Sequence, residues 1–188
     1  LFCCTGRGGD FYRQFLSLVD TNQPGALPVA SPALIDTNNT APKLTNTLVN
    51  LSNVCVRGEI AGVRIGMGME EVAALWGKPR SLWGRCFGGP RFCYEDASVI
   101  FDPSSNSVMR VIIHKLPPLD GGLSASSSAE QFAAVLGKPV ARQERPRFDL
   151  IDLIYQSPLC TLRVDFDSGR LNYIQIDRPA PRGGATKK

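Results

Sequence analysis

The feature that most constrains how this chain can fold is a repeat within itself. Residues 63–79 align without a gap on residues 123–139, an offset of 60 positions. The identities are Glu70/Glu130, Ala73/Ala133, Ala74/Ala134, Gly77/Gly137, Lys78/Lys138 and Pro79/Pro139. A unit of about sixty residues buries too little surface to be comfortable alone, so two such units are expected to share one core.

The repeated positions are those a short helix needs. Ser128 with Gln131 makes a capping box, for which Gly68 with Glu71 is a weaker version. Val72, Leu75 and Trp76 stand at helical spacing, as do Phe132, Val135 and Leu136, so each helix has one apolar stripe. Gly77 and Gly137 supply the terminating turn, and Pro79 and Pro139 prevent resumption. Helices are therefore expected over 69–76 and 129–136.

Strand periodicity follows each helix. Cys160, Leu162, Val164 and Phe166 fall on one face of an alternating run and Thr161, Arg163 and Asp165 on the other. Asp167-Ser168-Gly169 turns the chain into 170–177, and Phe101-Asp102 ahead of 107–114 corresponds to Phe166-Asp167. A further strand is expected near 82–86 and near 148–155. The expected fold is α+β: two tandem units of one helix plus a three-stranded antiparallel meander, joined into one sheet with both helices on one face. The units span 56–118 and 119–177, preceded by an amino-terminal segment and an extended Pro/Thr/Asn-rich arm (1–55) and followed by a basic flexible tail (178–188).

The arm is read from its punctuation. Pro24, Pro28, Pro32 and Pro42 exclude a helix, and few large apolar residues between Thr21 and Asn53 offset the entropy of ordering. Before it, Phe11, Phe15, Leu18 and Val19 form one face of a short amphipathic stretch. The order Leu1-Phe2-Cys3-Cys4-Thr5-Gly6 has the pattern in which a bacterial lipoprotein signal ends, although Phe2 stands where a small residue is favoured; lipid attachment at Cys3 or Cys4 is one reading of it. Asn38-Asn39-Thr40 and Asn50-Leu51-Ser52 fit the glycosylation acceptor pattern, a weak signal in Asn/Thr-rich sequence.

Composition excludes more than it selects. Lys plus Arg exceeds Asp plus Glu by 21 − 17 = 4, too small and too concentrated near the carboxyl end to indicate nucleic-acid binding. With one histidine, His114, any Ser/His/Asp or Cys/His arrangement would have to use that residue, which reads more simply as a strand-end side chain. Glu70, Glu71 and Glu130 lie in first helical turns, where carboxylates meet the dipole, and Asp165 and Asp167 point outward or cap a turn. The glycine-rich stretches 6–9 and 84–89 lack the Lys-Ser/Thr of a phosphate loop, and six cysteines without CxxC spacing do not suggest metal. No catalysis and no cofactor is expected. Cys55 and Cys160 read as core residues. Cys86 and Cys93 bracket a Gly/Pro turn that could bring them face to face, or they remain free thiols packed as small apolar groups.

A helix opened by Gly66-Met67 and Glu70-Glu71-Val72, closed by Gly77-Lys78-Pro79 and followed by a meander with Phe-Asp in its last turn resembles the small lipoprotein family of the outer-membrane β-barrel assembly machinery. In tandem it is similar to the β-lactamase inhibitory protein family, over residues 60–177. The resemblance implies the tandem fold, absence of catalysis, and a disulfide between Cys86 and Cys93, since that family bridges the segment between helix and strand. Ser126-Ser127 stands where Gly-Met would recur, and Cys160 lacks the companion of a second disulfide. The function implied is a non-enzymatic protein-binding module of the bacterial periplasm, outer envelope or extracellular space, an accessory subunit of a larger assembly. The alternative is a secreted enzyme inhibitor. The partner is another protein or assembly, not nucleic acid, with membrane contact only through a lipid anchor or that partner.

The binding surface is expected on the sheet face away from the two helices, together with the meander edges. Ile151, Leu153 and Tyr155 fall on one side of a strand and Phe148, Leu150 and Ile154 on the other, so apolar residues occupy both. Trp83, Phe87, Phe92 and Tyr94 gather in the corresponding part of the first unit, and such residues dominate interfaces where they are not core. The competing reading is that the arm itself, or the amphipathic segment around Phe11 and Phe15, covers this face.

Overall fold

The computed structural model describes residues 49–83 and 89–179, apart from the side chains of Ser52 and Trp83. The amphipathic stretch, the prolines of the arm, Cys3, Cys4, Phe87, Cys86, the Asn38 acceptor site and the last nine residues lie outside them.

Three helices and ten strands are assigned among these residues. α1 (Leu51–Arg57) leads into a small hairpin, β1 (Glu59–Ile60) and β2 (Val63–Arg64). Then come α2 (Met69–Trp76), β3 (Ser81–Trp83), β4 (Arg91–Cys93), β5 (Ala97–Phe101) and β6 (Val108–Ile113). After a linker follow α3 (Ala129–Leu136), β7 (Ala141–Arg145), β8 (Leu150–Gln156), β9 (Thr161–Asp167) and β10 (Arg170–Asp177). The eight longer-range strands make one antiparallel sheet in the order β3-β4-β5-β6-β10-β9-β8-β7. Four strands therefore follow each of α2 and α3, rather than the three expected. The additional strand β7 is Ala-Arg-Gln-Glu-Arg, which has no apolar alternation because it forms a charged sheet edge; β3, at the opposite edge, has only three residues.

The helix termini follow the local chemistry. Gln131 N–H donates to Ser128 Oγ (3.3 Å) and Ser128 N–H to Gln131 Oε1 (2.8 Å), a full box worth about 1 kcal/mol. Gly68 offers only half of it, its N–H donating to Glu71 Oε2 at 2.7 Å. Gly77 (φ 74°, ψ −167°) and Gly137 (φ 83°, ψ −172°) do not adopt the left-handed helical turn expected of them. They occupy instead the positive-φ, extended-ψ region that is essentially open to glycine alone.

The register sorts side chains between the two sides of the sheet. One continuous row runs Tyr155, Leu162, Ile176, Val111, Val99, Phe92 and Leu82, and a second runs Arg142, Leu153, Val164, Ile174, Ile113 and Ala97. Phe132 of α3 packs edge-on against Phe166 at 5.3 Å, and Trp76 of α2 against Tyr94 at 5.3 Å. Phe92 in turn packs on Phe101 at 4.7 Å. The register aligns Phe92 beside Val99 with Leu153 beside Val164, and the 60-residue offset sets Val72 of α2 at the position of Phe132 in α3. These residues are all fully or almost fully buried.

Two boundaries of the expected organisation move. Residues 49–55, assigned to the arm, belong to the fold: Val49 and Leu119 form a parallel bridge, Leu51 and Val54 are buried, and Leu51 N–H donates to Asp120 Oδ1 at 2.9 Å. Asn50, read as a glycosylation acceptor, is the cap of α1, its side chain accepting from Asn53 N–H at 2.8 Å. At the other end Arg178, read as the start of the tail, is fixed to Asp102 Oδ2 (2.8 Å), Ser107 Oγ (2.8 Å) and the Met109 carbonyl (2.7 Å).

Candidate functional site

The sheet side opposite the Phe92–Tyr155 row is built by the alternate positions of the same strands. Its central row is Ser81, Cys93, Ser98, Ile112, Gln175, Arg163, Ile154 and Ala141, one residue from each strand. Beside it lie Arg91, Ile100, Arg110, Asp177 and Thr161. On its other flank lie Tyr173, Asp165, Asp152 and Gln143. Hydrophobic positions and arginines thus share a face.

The face holds a polar cluster whose charges lie below the surface. Asp152 and Asp165 are cross-strand neighbours, only 1% and 2% exposed. Arg145, half exposed, donates to Asp152 Oδ2 at 3.0 Å and lies 3.7 Å from Asp165 Oδ2; Arg163 lies 3.8 Å from Asp152. Asn172 Nδ2 donates to Asp165 Oδ1 at 2.8 Å. Burial, followed by the adjoining Asp152 carboxylate, holds the Asp165 carboxyl above the usual aspartate range. Burial likewise raises the Tyr173 phenol, with the Asp165 and Asp152 charges adding to it. Asp152 Oδ1 and Arg163 Nε are buried without a hydrogen-bond partner. Arg110 pairs with Asp177, which also accepts from Gln175 Nε2 at 2.6 Å.

The residues expected to form the binding surface divide between the two sides. Leu150, half-buried, and Ile154, buried, do belong to this face. Phe148 sits in the 3-10 turn before β8 and is 65% exposed. Trp83 pairs with Arg91 in the ladder, and its side chain lies outside those described, as does Phe87. Phe92, Tyr94 and Tyr155 do not belong to this face. Phe92 is buried against Phe101; Tyr94, half-buried, donates its hydroxyl to the Gly77 carbonyl, and Tyr155, almost buried, donates to the Gly137 carbonyl, each at 3.3 Å. Those hydroxyls satisfy helix-end carbonyls that would otherwise lack a donor. Their aromatic character made them look like interface residues, whereas alternation along each strand turns them inward.

Asp165 is correspondingly deeper than expected: it faces the predicted side but is enclosed, and Asp152 was not singled out at all. The available signal was one aspartate inside each of two apolar strands, Leu150–Gln156 and Thr161–Asp167, joined by a tight turn. His114 is exposed just beyond the end of β6 and contacts Ser98 Oγ at 3.2 Å; partial desolvation of the ring, then Arg91, lowers its pKa. Cys93 has a free thiol and faces Ser81 across the ladder, while Cys86 lies outside the described residues. Among the described residues no His/Cys/Asp/Glu group could hold a metal ion, and no helix is long and apolar enough to cross a membrane.

No family model matches the sequence, and no curated protein matches it. Among solved structures the chain is similar to a DUF4309 family protein (YjgB) from Bacillus subtilis subsp. subtilis str. 168, with a TM-score of 0.55 and 16% identity over 69% of this chain and 94% of that one. It is also similar to an extracellular protein containing a SCP domain from Bacillus anthracis str. Ames, with a TM-score of 0.47 and 11% identity over 61% of this chain and 44% of that one. The first likeness is one of fold; the second is too slight to bear an argument.

Proposed function

We propose that this chain is a non-enzymatic protein-binding module, made of two helix-led units whose helices cover one side of a shared sheet and leave the other side for a partner. The observation that supports the reading is the composition of that other side, where half-buried Leu150 adjoins half-exposed Arg145, with Arg163 near it, above a buried carboxylate pair. Arginine surrounded by apolar groups is the mixture that carries binding energy at protein interfaces, because its guanidinium can pair while its stem packs. The cluster is held by hydrogen bonds from four strands, so little ordering entropy is lost when a partner docks.

The resemblance to the outer-membrane assembly lipoproteins and to the β-lactamase inhibitory protein family supports a location in the bacterial envelope or outside the cell, as an accessory or stabilising subunit. Cys3 or Cys4 would then carry any lipid. A photo-crosslinking residue at Leu150, compared with one at Leu75 on α2, tests the location of the surface in the native source. Adducts formed from Leu150 and not from Leu75, with unchanged melting temperature, are expected; equal labelling from both positions would overturn the assignment of the face.

A further inference from the structure

Cys55 and Cys160 are 105 positions apart in sequence (160 − 55), yet the fold sets Cys160 Sγ against the carbonyl of Val54, the residue before Cys55. Gly58, the α1 C-cap at φ 61°, is what permits the approach. A Cβ there would stand 3.2 Å from Leu159 Cβ and 3.4 Å from the Leu159 carbonyl oxygen, so the end of α1 lies directly on the turn that opens β9. From that turn Cys160, fully buried, donates to the Val54 carbonyl at 3.5 Å, one residue before Cys55 on the helix. Ser157 Oγ lies 3.9 Å from Cys160 Sγ. Both cysteines carry free thiols, and Cys55 is the more accessible.

We propose that Cys55 and Cys160 form a reversible disulfide that fastens α1 to the head of β9. The oxidant is a small-molecule disulfide, RSSR. The Cys55 thiolate attacks one of its sulfurs, the S–S bond breaks, and RS⁻ leaves as the Cys55–S–S–R bond forms. The hydrogen bond to Cys160, then burial, raise the Cys55 thiol, so this first step is the slow one and quickens as pH rises. The Cys160 thiolate then attacks Cys55 Sγ and expels the second RS⁻. Two thiol protons pass to the leaving thiolates, the protein loses two electrons, and RSSR is reduced to two RSH. The Cys160 thiol suits the resolving role, since hydrogen bonds from Cys55 and Ser157 hold its pKa below the ordinary thiol value.

The test is exposure of the full chain to oxidised glutathione, followed by alkylation and peptide mapping without reduction. A Cys55–Cys160 linked peptide is expected, abolished by dithiothreitol, together with a melting temperature that rises on oxidation. A stable glutathione adduct on Cys55 beside an alkylatable Cys160, or two alkylatable thiols, would overturn the proposal. The Cys55→Ser variant should lose both the linked peptide and the oxidation-dependent rise, whereas Cys160→Ala should arrest at the Cys55 mixed disulfide. A rise that persists in Cys55→Ser would assign the effect to other cysteines and count against this pair.

Discussion

Replacing Asp165 with Asn should stabilise the protein at neutral pH, although it removes a charge that lies near an arginine. The wild-type carboxylate is buried opposite Asp152, and like charges directly across a ladder cost roughly 0.2–1 kcal/mol. The substituted amide would keep the oxygen that accepts from Asn172 and would remove a buried charge whose desolvation is the largest cause of the raised carboxyl pKa. Relief of that burial contributes on the order of 1 kcal/mol. The opposing loss is the 3.7 Å contact with Arg145, whose side chain is 49% exposed, worth about 0–1 kcal/mol after screening. The balance is a gain of about 1 kcal/mol, or about 3 °C in melting temperature for a chain of this size.

The pH dependence carries the sharper test. Because the folded-state pKa of Asp165 is raised, the native protein holds the proton more tightly than the unfolded chain. That contribution is fully present below the ordinary aspartate pKa of 3.8 and is lost as pH rises through the raised value. Asn does not titrate, so the advantage of Asp165→Asn should be near zero at acid pH and should grow from about pH 4 toward neutrality. Chemical denaturation of both proteins at several pH values measures it. Asp152→Asn should instead destabilise, since Asp152 takes the 3.0 Å bond from Arg145 and the 3.8 Å approach of Arg163. A loss of about 1 kcal/mol or more in Asp165→Asn at neutral pH, or a difference independent of pH, would refute the reasoning.

Other perturbations probe the frame. Phe132→Ala removes a ring fully buried against Phe166 and should cost about 3–5 kcal/mol, read as a lower denaturation midpoint with the slope retained. Tyr155→Phe deletes the hydroxyl that serves the Gly137 carbonyl and should cost about 1 kcal/mol, with Tyr94→Phe behaving alike at Gly77. Cys93, whose thiol is free, should alkylate under native non-reducing conditions; a linked Cys86–Cys93 peptide would instead bear out the disulfide that the family resemblance implies.

The parts of this fold legible in the sequence are those fixed within a few residues. Ser128 with Gln131 at one end and Gly137 with Pro139 at the other bound α3 as expected, because capping and termination are local events. The hairpin turns at 102–106 and 167–169 were readable for the same reason. The edge strand β7 was not, since four of its five residues are charged or amide-bearing and pairing alone makes it a strand. The site was legible in outline only. Leu150 and Ile154 fall where alternation sets them, but the inward turn of Phe92, Tyr94 and Tyr155 depends on register with neighbouring strands, which composition does not reveal. The burial of Asp152 and Asp165 depends on the same pairing, and the approach of Cys160 to Val54 on a helix that local reading assigned to the arm.

That division also explains why the sequence repeat survives where it does. The glycines at 77 and 137 meet a backbone requirement that no other residue satisfies, with φ near 80° and ψ near 180°, so identity is retained there. Core volume is a looser requirement, because it can be supplied from either layer. Val72 of α2 stands where α3 has Phe132 by the 60-residue offset, and Phe92 beside Val99 stands where Leu153 lies beside Val164, so the larger side chain is on the sheet in one unit and on the helix in the other. Volume-conserving exchange of this kind costs little when made jointly, whereas either change alone would leave a cavity or an overpacked contact. The far face has neither constraint in common between its halves: Asp152 and Asp165 stand on β8 and β9, whereas Ser98 and Ile100 stand on the far face of β5. The two units thus differ in the side chains of this face while their helix ends keep the same glycine, lysine and proline.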